Sequence, residues 1–295
     1  MLEHLNQAPA QPARVVIIGA GGFVGGAITR NLQQQGTPTL ALTRRELDLL
    51  GDDAGAKLKS LLTPDDSVVM VSAIAPAKDV SMLMQNLKMA QAVCEALAAA
   101  PVHHLLYISS DAVYSDDANP VTEQSYLAPS TLHGMMHAAR ELILRSATQA
   151  PVAMLRPTLI YGAADPHSGY GPNRFRRQAR RGEPITLFGE GEEQRDHVCV
   201  DDVAELARLM LFHRSRGALN AATGKARSFN EIARIIAGQF DDAVGVKEIP
   251  RSVPRPHLLH RFFDITECHR AFPQFHFMPL EQGLARAKQM SEEQS

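Results

Sequence analysis

A chain of 295 residues, 45% hydrophobic and 21% charged, can close a large core around one cofactor-sized cleft, as one α/β domain or as a domain carrying a smaller lobe. Thirty Lys and Arg stand against 32 Asp and Glu, a formal net charge of -2, so no basic field draws the chain to nucleic acid or to an anionic membrane. The apolar runs fall well short of the roughly 18 residues of a membrane helix, and Cys94, Cys199 and Cys268 stand apart without C-x-x-C spacing. The reading is a cytoplasmic protein with reduced, buried cysteines.

Residues 1–13, with "NQAPAQPA", lack periodicity and apolar surface and read as a flexible tail. From Arg14 the pattern alternates. "RVVIIG" reads as a buried strand, followed by a glycine turn, a helix to about Gln35, the strand "TLALT", a helix over about 54–62 and the strand "SVVMVSA". A helix over about 81–99, the strand "HLLYISS", a helix over about 131–147 and the strand "VAMLRP" continue it. Short apolar strands separated by helices indicate a doubly wound parallel sheet.

After Tyr161, "GAADPHSGYGPNRFRRQARRGEP" is rich in Gly, Pro and Arg, as a ligand-facing segment would be. Arg176, Arg177, Arg180 and Arg181 have the helical spacing of a solvated face. "SFNEIARIIAGQF" carries a capping-box pattern, Ser228 with Glu231, and "PLEQGLARAKQM" reads as the last helix. The expected organisation is a dinucleotide-binding domain over 14–162 plus about 195–224, with a smaller C-terminal substrate-binding lobe over about 163–194 plus 225–290.

"VVIIGAGGFVGGAITRNL" sets Gly19, Gly22 and Gly25 between a strand and a helix. Gly19 permits the tight exit, Gly21 and Gly22 admit a pyrophosphate close to the backbone, and Gly25 allows close helix-to-sheet packing. The helix N-terminus offers N–H groups to the phosphates. This is the Rossmann type of turn. After the second strand, where an acidic residue would select NAD, stand Thr43, Arg44 and Arg45. A guanidinium pairs with a 2′-phosphate, so NADP(H) is the preferred cofactor and NAD(H) the second candidate. Arg44 is the first choice for that role and Arg45 the second; two solvated arginines are the plain alternative.

With this turn, "YISSDAVYSD", "LRPTLIYG", "GEGEEQRDHVCVDDVA" and "GALNAATG" resemble, in order and spacing, the extended short-chain dehydrogenase/reductase family of nucleotide-sugar epimerases, dehydratases and reductases, from Arg14 to about Met290. The resemblance implies that Ser110 is the catalytic serine and that Phe23, Val24, Ala73, Ser109 and Pro157 lie along the cofactor. It implies that Tyr161 sits beside the nicotinamide, that Asn173 and Arg174 contact a nucleotide-sugar, and that Arg195 grips its diphosphate. A structural role for Tyr161 is the alternative. In "STLHGMMH", His133 and His137 occupy the family's Tyr-x-x-x-Lys positions.

Imidazole, with a reference pKa of about 6.5, can exchange a proton near neutrality without the lysine that a tyrosine requires. His133 is therefore the expected acid/base group, Ser110 its partner at the substrate oxygen, and His137 a one-donor, one-acceptor contact to the cofactor ribose. Asp111 is a second acid or a turn residue. No lysine occurs between Lys88 and Lys225, and Arg140 is the nearest cation on the same helix face.

Two histidines at i and i+4 can also ligate zinc, but Gly134 stands where H-E-x-x-H has glutamate and no third ligand is evident, so no metal is expected. The reading is an NADP(H)-dependent oxidoreductase or epimerase acting on a nucleotide-activated sugar. Its alternative is a catalytically silent sensor or assembly protein binding NADP(H) or a nucleotide-sugar. In the family the helices near 81–99 and 131–147 pair across a dimer, so a homodimer is expected, with fuller cover of the sheet as the other reading.

Overall fold

The computed structural model of the chain describes residues 1–240, 244–251 and 259–293. In order, the elements are β1 (Glu3–His4), β2 (Arg14–Ile18), α1 (Phe23–Gln34), β3 (Thr39–Leu42), α2 (Ala54–Leu61), β4 (Asp66–Met70), α3 (Val80–Ala99) and β5 (His104–Ile108). A 3-10 turn (Asp111–Val113), α4 (Leu132–Ser146), β6 (Val152–Pro157), β7 (Leu159–Tyr161), α5 (Pro172–Arg180), β8 (Ile185–Phe188), β9 (Gln194–Arg195) and β10 (His197–Cys199) follow. Then come α6 (Val200–Phe212), β11 (Ser215–Ala221), β12 (Arg227–Ser228), α7 (Phe229–Ala237), β13 (Val246–Ile249), α8 (Thr266–Ala271) and α9 (Leu280–Glu293).

The central sheet has the order β1-β11-β6-β5-β4-β2-β3, parallel throughout except for β1 against β11. Its strands are apolar on both faces because helices cover both. Val15 and Ile17 of β2 point into a core with α1 and α6, while Val16 and Ile18 point into a second core with α2 and α3. The two-residue strand period divides one apolar run between them. The chain winds from β2 outward to β3, then crosses to β4 on the other side of β2. The winding thus reverses between β2 and β4, where open α/β sheets place their ligand crevice.

A third core joins Phe175 of α5, Ile185 and Leu187 of β8, Phe229, Ile232 and Ile236 of α7, and Leu284 of α9. Most of this core's residues come from the spans 163–194 and 225–290 expected to form the smaller lobe, of which residues 241–243 and 252–258 lie outside the described residues. The Ser228–Glu231 capping box forms at the start of α7. The N-terminal segment departs from the flexible tail expected of it. Glu3–His4 pairs with the edge strand β11, Leu2 is buried, and His4 bonds Ser215 Oγ at 2.8 Å and the Ala271 carbonyl at 3.0 Å. The open edge of β11 supplies the partners that composition could not reveal. No helix among the described residues is long and apolar enough to cross a membrane.

Candidate active site

The glycine turn is shaped by contacts that no side chain would survive. Gly19 has φ +102, and a β-carbon on it would stand 2.6 Å from Ser72 Oγ, at the end of β4. A β-carbon on Gly25 would overlap the Gly19 carbonyl oxygen. The turn therefore folds tightly against both switch-point strands, and α1 begins after Gly22 without a side-chain cap. A bare helix N-terminus above a glycine cradle fits a dinucleotide pyrophosphate.

A cleft of about 930 Å³ opens over the carboxyl ends of β2, β4, β5 and β6. Gly19, Gly22, Phe23, Val24 and Gly25 line it, as do Thr43, Arg44 and Arg45 after β3. Ala73, Ser109 and Pro157 are there too, and Ser110, Asp111, His133, His137 and Asn173 complete the expected set that the fold gathers. Arg44 is exposed and bonds Asp48 at 3.4 Å, an i,i+4 pair too solvated to hold it firmly. Asp48, which the sequence reading passed over, lines the same wall.

Ser110 caps the 3-10 turn, its Oγ accepting from Ala112 N–H at 3.1 Å. Asp111 is tied to Arg261, whose Nε lies 3.7 Å from Oδ2; burial raises the carboxyl's pKa, against the pull of Arg261 and Arg195. His133 and His137 stand edge to face on α4 with ring centres 4.8 Å apart. Burial lowers the pKa of His133, and its Nδ1 is buried without a partner among the described residues. His137 is held well below the ordinary range by burial first, then by His133 and Arg140. Both imidazoles are neutral near pH 7.

Behind Ser109 lies a buried polar network that periodicity gave no means of finding. Ser109 Oγ donates to Glu141 at 2.6 Å, Arg156 grips both oxygens of Glu141 at 2.9 and 2.6 Å, and Arg156 also donates to Tyr114 OH at 2.8 Å. His197 is a further cleft residue the sequence did not single out. Its Nδ1 donates to the Arg195 carbonyl at 3.2 Å, its Nε2 is buried without a partner among the described residues, and burial pulls its pKa down to about 4.

Three residues expected at the ligand do not line the cleft. Tyr161 is buried in the third core against Gly283 of α9, because its strand position turns it away from the crevice. Arg174 lies over the Phe188 ring at 5.5 Å, and Arg195 donates to the carbonyls of Gln194 and Leu259 at 2.9 and 2.7 Å. Asn173 is on the cleft, with its amide engaged by Gly162 N–H at 3.1 Å and the Ile160 carbonyl at 3.3 Å. Arg176, read as part of a solvated face, is buried and donates to the Gly162 and Ala163 carbonyls at 3.2 and 3.1 Å. The incoming loop needs donors there, which helical spacing does not report. Among the described residues no group of three or more His, Cys, Asp or Glu side chains is placed to share a metal ion.

Known structures share this architecture. MoeE5 in complex with UDP-glucose and NAD superposes with a TM-score of 0.83 at 23% identity, covering 95% of this chain and 99% of that one. UDP-N-acetylglucosamine 4-epimerase from Bacillus cereus gives 0.81 at 22% identity, over 95% and 96% of the two chains. A GDP-L-fucose synthetase from Naegleria fowleri gives 0.84 at 16% identity, over 99% and 97%. At these identities the likeness shows the fold. Residues 15–222 match the model of the NAD dependent epimerase/dehydratase family, and with most of its length so matched the chain belongs to that family.

Proposed function

We propose that the protein is an NADP(H)-dependent oxidoreductase or epimerase acting on a nucleotide-activated sugar. One observation carries this reading: the glycine cradle, the Thr43-Arg44-Arg45 wall, Ser110 and the two histidines line a single cleft at the sheet's switch point. A similar structure has been solved with UDP-glucose and NAD and another with UDP-glucuronic acid and NAD, which supports the substrate class. A bound nicotinamide supplies hydride transfer.

The chain's own residues do the rest. Ser110 orients the substrate oxygen, and His133, neutral and half-exposed to the cleft, takes or returns its proton. His137 contacts the cofactor ribose, and Arg44 and Arg45 take a 2′-phosphate. Asp111, bound to Arg261, shapes the serine's turn. Asp48 beside Arg44 is the feature that would favour NAD(H) instead. We infer a homodimer through α3 and α4, where Val80, Met84, Met135 and Leu142 are exposed, and a cytoplasmic setting that suits the free Cys94, Cys199 and Cys268.

A second reading is a catalytically silent sensor or assembly protein for the same ligands. It is favoured by the neutral, buried His137 at the position of the family's lysine. A screen of UDP- and GDP-sugars with NADP(H), run on wild type and His133→Phe, separates the two. Turnover that falls about 10² to 10⁴-fold in the variant supports the enzyme. Equal turnover removes His133 from its role, and binding without turnover by the wild type supports the silent reading.

A further inference from the structure

Tyr107 and Arg140 lie on neither of the loops that frame the cleft, yet both converge on His137. Tyr107, next to last in β5, is fully buried, with its hydroxyl 2.7 Å from His137 Nδ1. Arg140, one turn along α4, is fully buried as well. Its guanidinium lies over the Tyr107 ring at 5.2 Å and donates to the Ser72 carbonyl at 2.7 Å and to Asn86 Oδ1 at 3.4 Å. Among the described residues no carboxylate pairs with it.

The direction of the Tyr107–His137 bond follows from counting hydrogens. Among the described residues the phenol has one hydrogen-bond partner, His137 Nδ1. Were it to accept from Nδ1–H, its own hydrogen would be buried without an acceptor, which native interiors avoid. A cation over its ring makes the phenol a better donor and a poorer acceptor. The phenol therefore donates, Nδ1 is the bare nitrogen, and the ring hydrogen of a neutral imidazole resides on Nε2.

We propose that Tyr107 is a positioning residue that fixes His137 as the Nε2–H tautomer, with Arg140 as the buried cation that sets the polarity of the pair. His137 then presents one neutral donor to an oxygen acceptor of the bound ligand, a hydroxyl oxygen of the ribose under the cofactor reading on which this role rests. This replaces the fixed charge of an ammonium by a single oriented N–H. The low basicity of His137, which follows from burial and from its neighbours His133 and Arg140, agrees with that use.

The test is a long-range proton–nitrogen correlation spectrum of protein labelled with ¹⁵N-histidine, recorded without ligand, with His137 assigned by its loss in His137→Gln. The expected spectrum has Nε2 protonated and Nδ1 bare in wild type, and mixed tautomers in Tyr107→Phe. Tyr107→Phe is also expected to bind NADPH about 3- to 10-fold more weakly. Protonated Nδ1 in the wild type, or an unaltered His137 spectrum in a folded Tyr107→Phe, overturns the proposal. If Tyr107→Phe does not fold, the wild-type spectrum still decides. Failure of the wild type to bind NADPH overturns the cofactor reading, and the ligand-free spectra settle the tautomer separately.

Discussion

A β-carbon on Gly134 would overlap the carbonyl oxygen of Ala112, so α4 reaches the 3-10 turn after β5 only because residue 134 is glycine. That approach brings His133 and the Ser110 turn onto the same cleft. Thr131 fixes the same end of the helix, its Oγ1 accepting from Gly134 N–H at 3.1 Å. Gly134→Ala must push the turn away, a form of overpacking that costs about 1–3 kcal/mol. A denaturant midpoint unchanged from wild type would show that the turn yields freely.

Arg156 and Glu141 form a buried bidentate pair that also receives the hydroxyl of Ser109, so the polar floor of the cleft hangs on it. Glu141→Gln leaves a buried guanidinium without its counter-charge and is expected to lose about 3–5 kcal/mol. For a chain of this size that lowers the melting temperature by on the order of 10 °C. A drop confined to a degree or two would mean that the pair is replaceable.

Stability depends on pH through buried groups of opposite sense. Burial pulls His104 and His197 down to about 4 from 6.5, so the unfolded chain binds more protons than the folded one between those values. Stability from these two is complete above pH 6.5 and is lost as pH falls toward 4. Asp202 opposes them: burial raises its carboxyl to about 6 from 3.8, so its contribution falls as pH rises through that window. Two imidazoles outweigh one carboxyl, and the protein is expected to be less stable at about pH 4.5 than at about pH 7. Asp202→Asn, which keeps an acceptor for Met278 N–H, should steepen the acid loss. Unfolding curves at several pH values that show no loss on acidification would contradict this.

The exposed Met84 on α3 and Leu142 on α4 belong to the face proposed for dimerisation. Light scattering at micromolar concentration is expected to give twice the monomer mass for wild type and the monomer mass for Met84→Glu combined with Leu142→Glu, since buried like charges do not dock. A monomeric wild type would remove the dimer from the account.

The alternating apolar runs made the sheet legible, because each strand buried on both faces reads as continuous hydrophobic sequence. The glycine turn was legible because it follows a strand and opens a helix, whereas Ser110, His133 and His137 were singled out by the family resemblance, and the fold gathers all of them on one cleft. What the sequence could not show depends on contacts between distant segments. Tyr107 and His137 meet only when β5 and α4 pack, and Glu141 meets Arg156 only across α4 and β6. Of the two readings of Tyr161 the buried structural one fits its placement, because a strand residue's face is decided by which core claims it, here Leu284 and its neighbours. Leu2 and His4 join the fold through a sheet edge made by residues more than two hundred positions later.

Arg44 is exposed and, among the described residues, held only by Asp48, so it can exchange that partner for a 2′-phosphate. Arg44→Ala should weaken NADPH binding by about 10- to 100-fold, the worth of a charge-assisted contact, and leave NADH binding nearly unaltered. Equal loss for both cofactors would assign Arg44 to the fold of the loop.

Titration of the wild-type protein with NADPH and with NADH, followed by cofactor fluorescence, tests whether the cleft is a dinucleotide site. Saturable micromolar binding with NADPH preferred is expected, which would mean that the cradle and the Arg44 wall hold a dinucleotide. Binding of neither cofactor would contradict that reading.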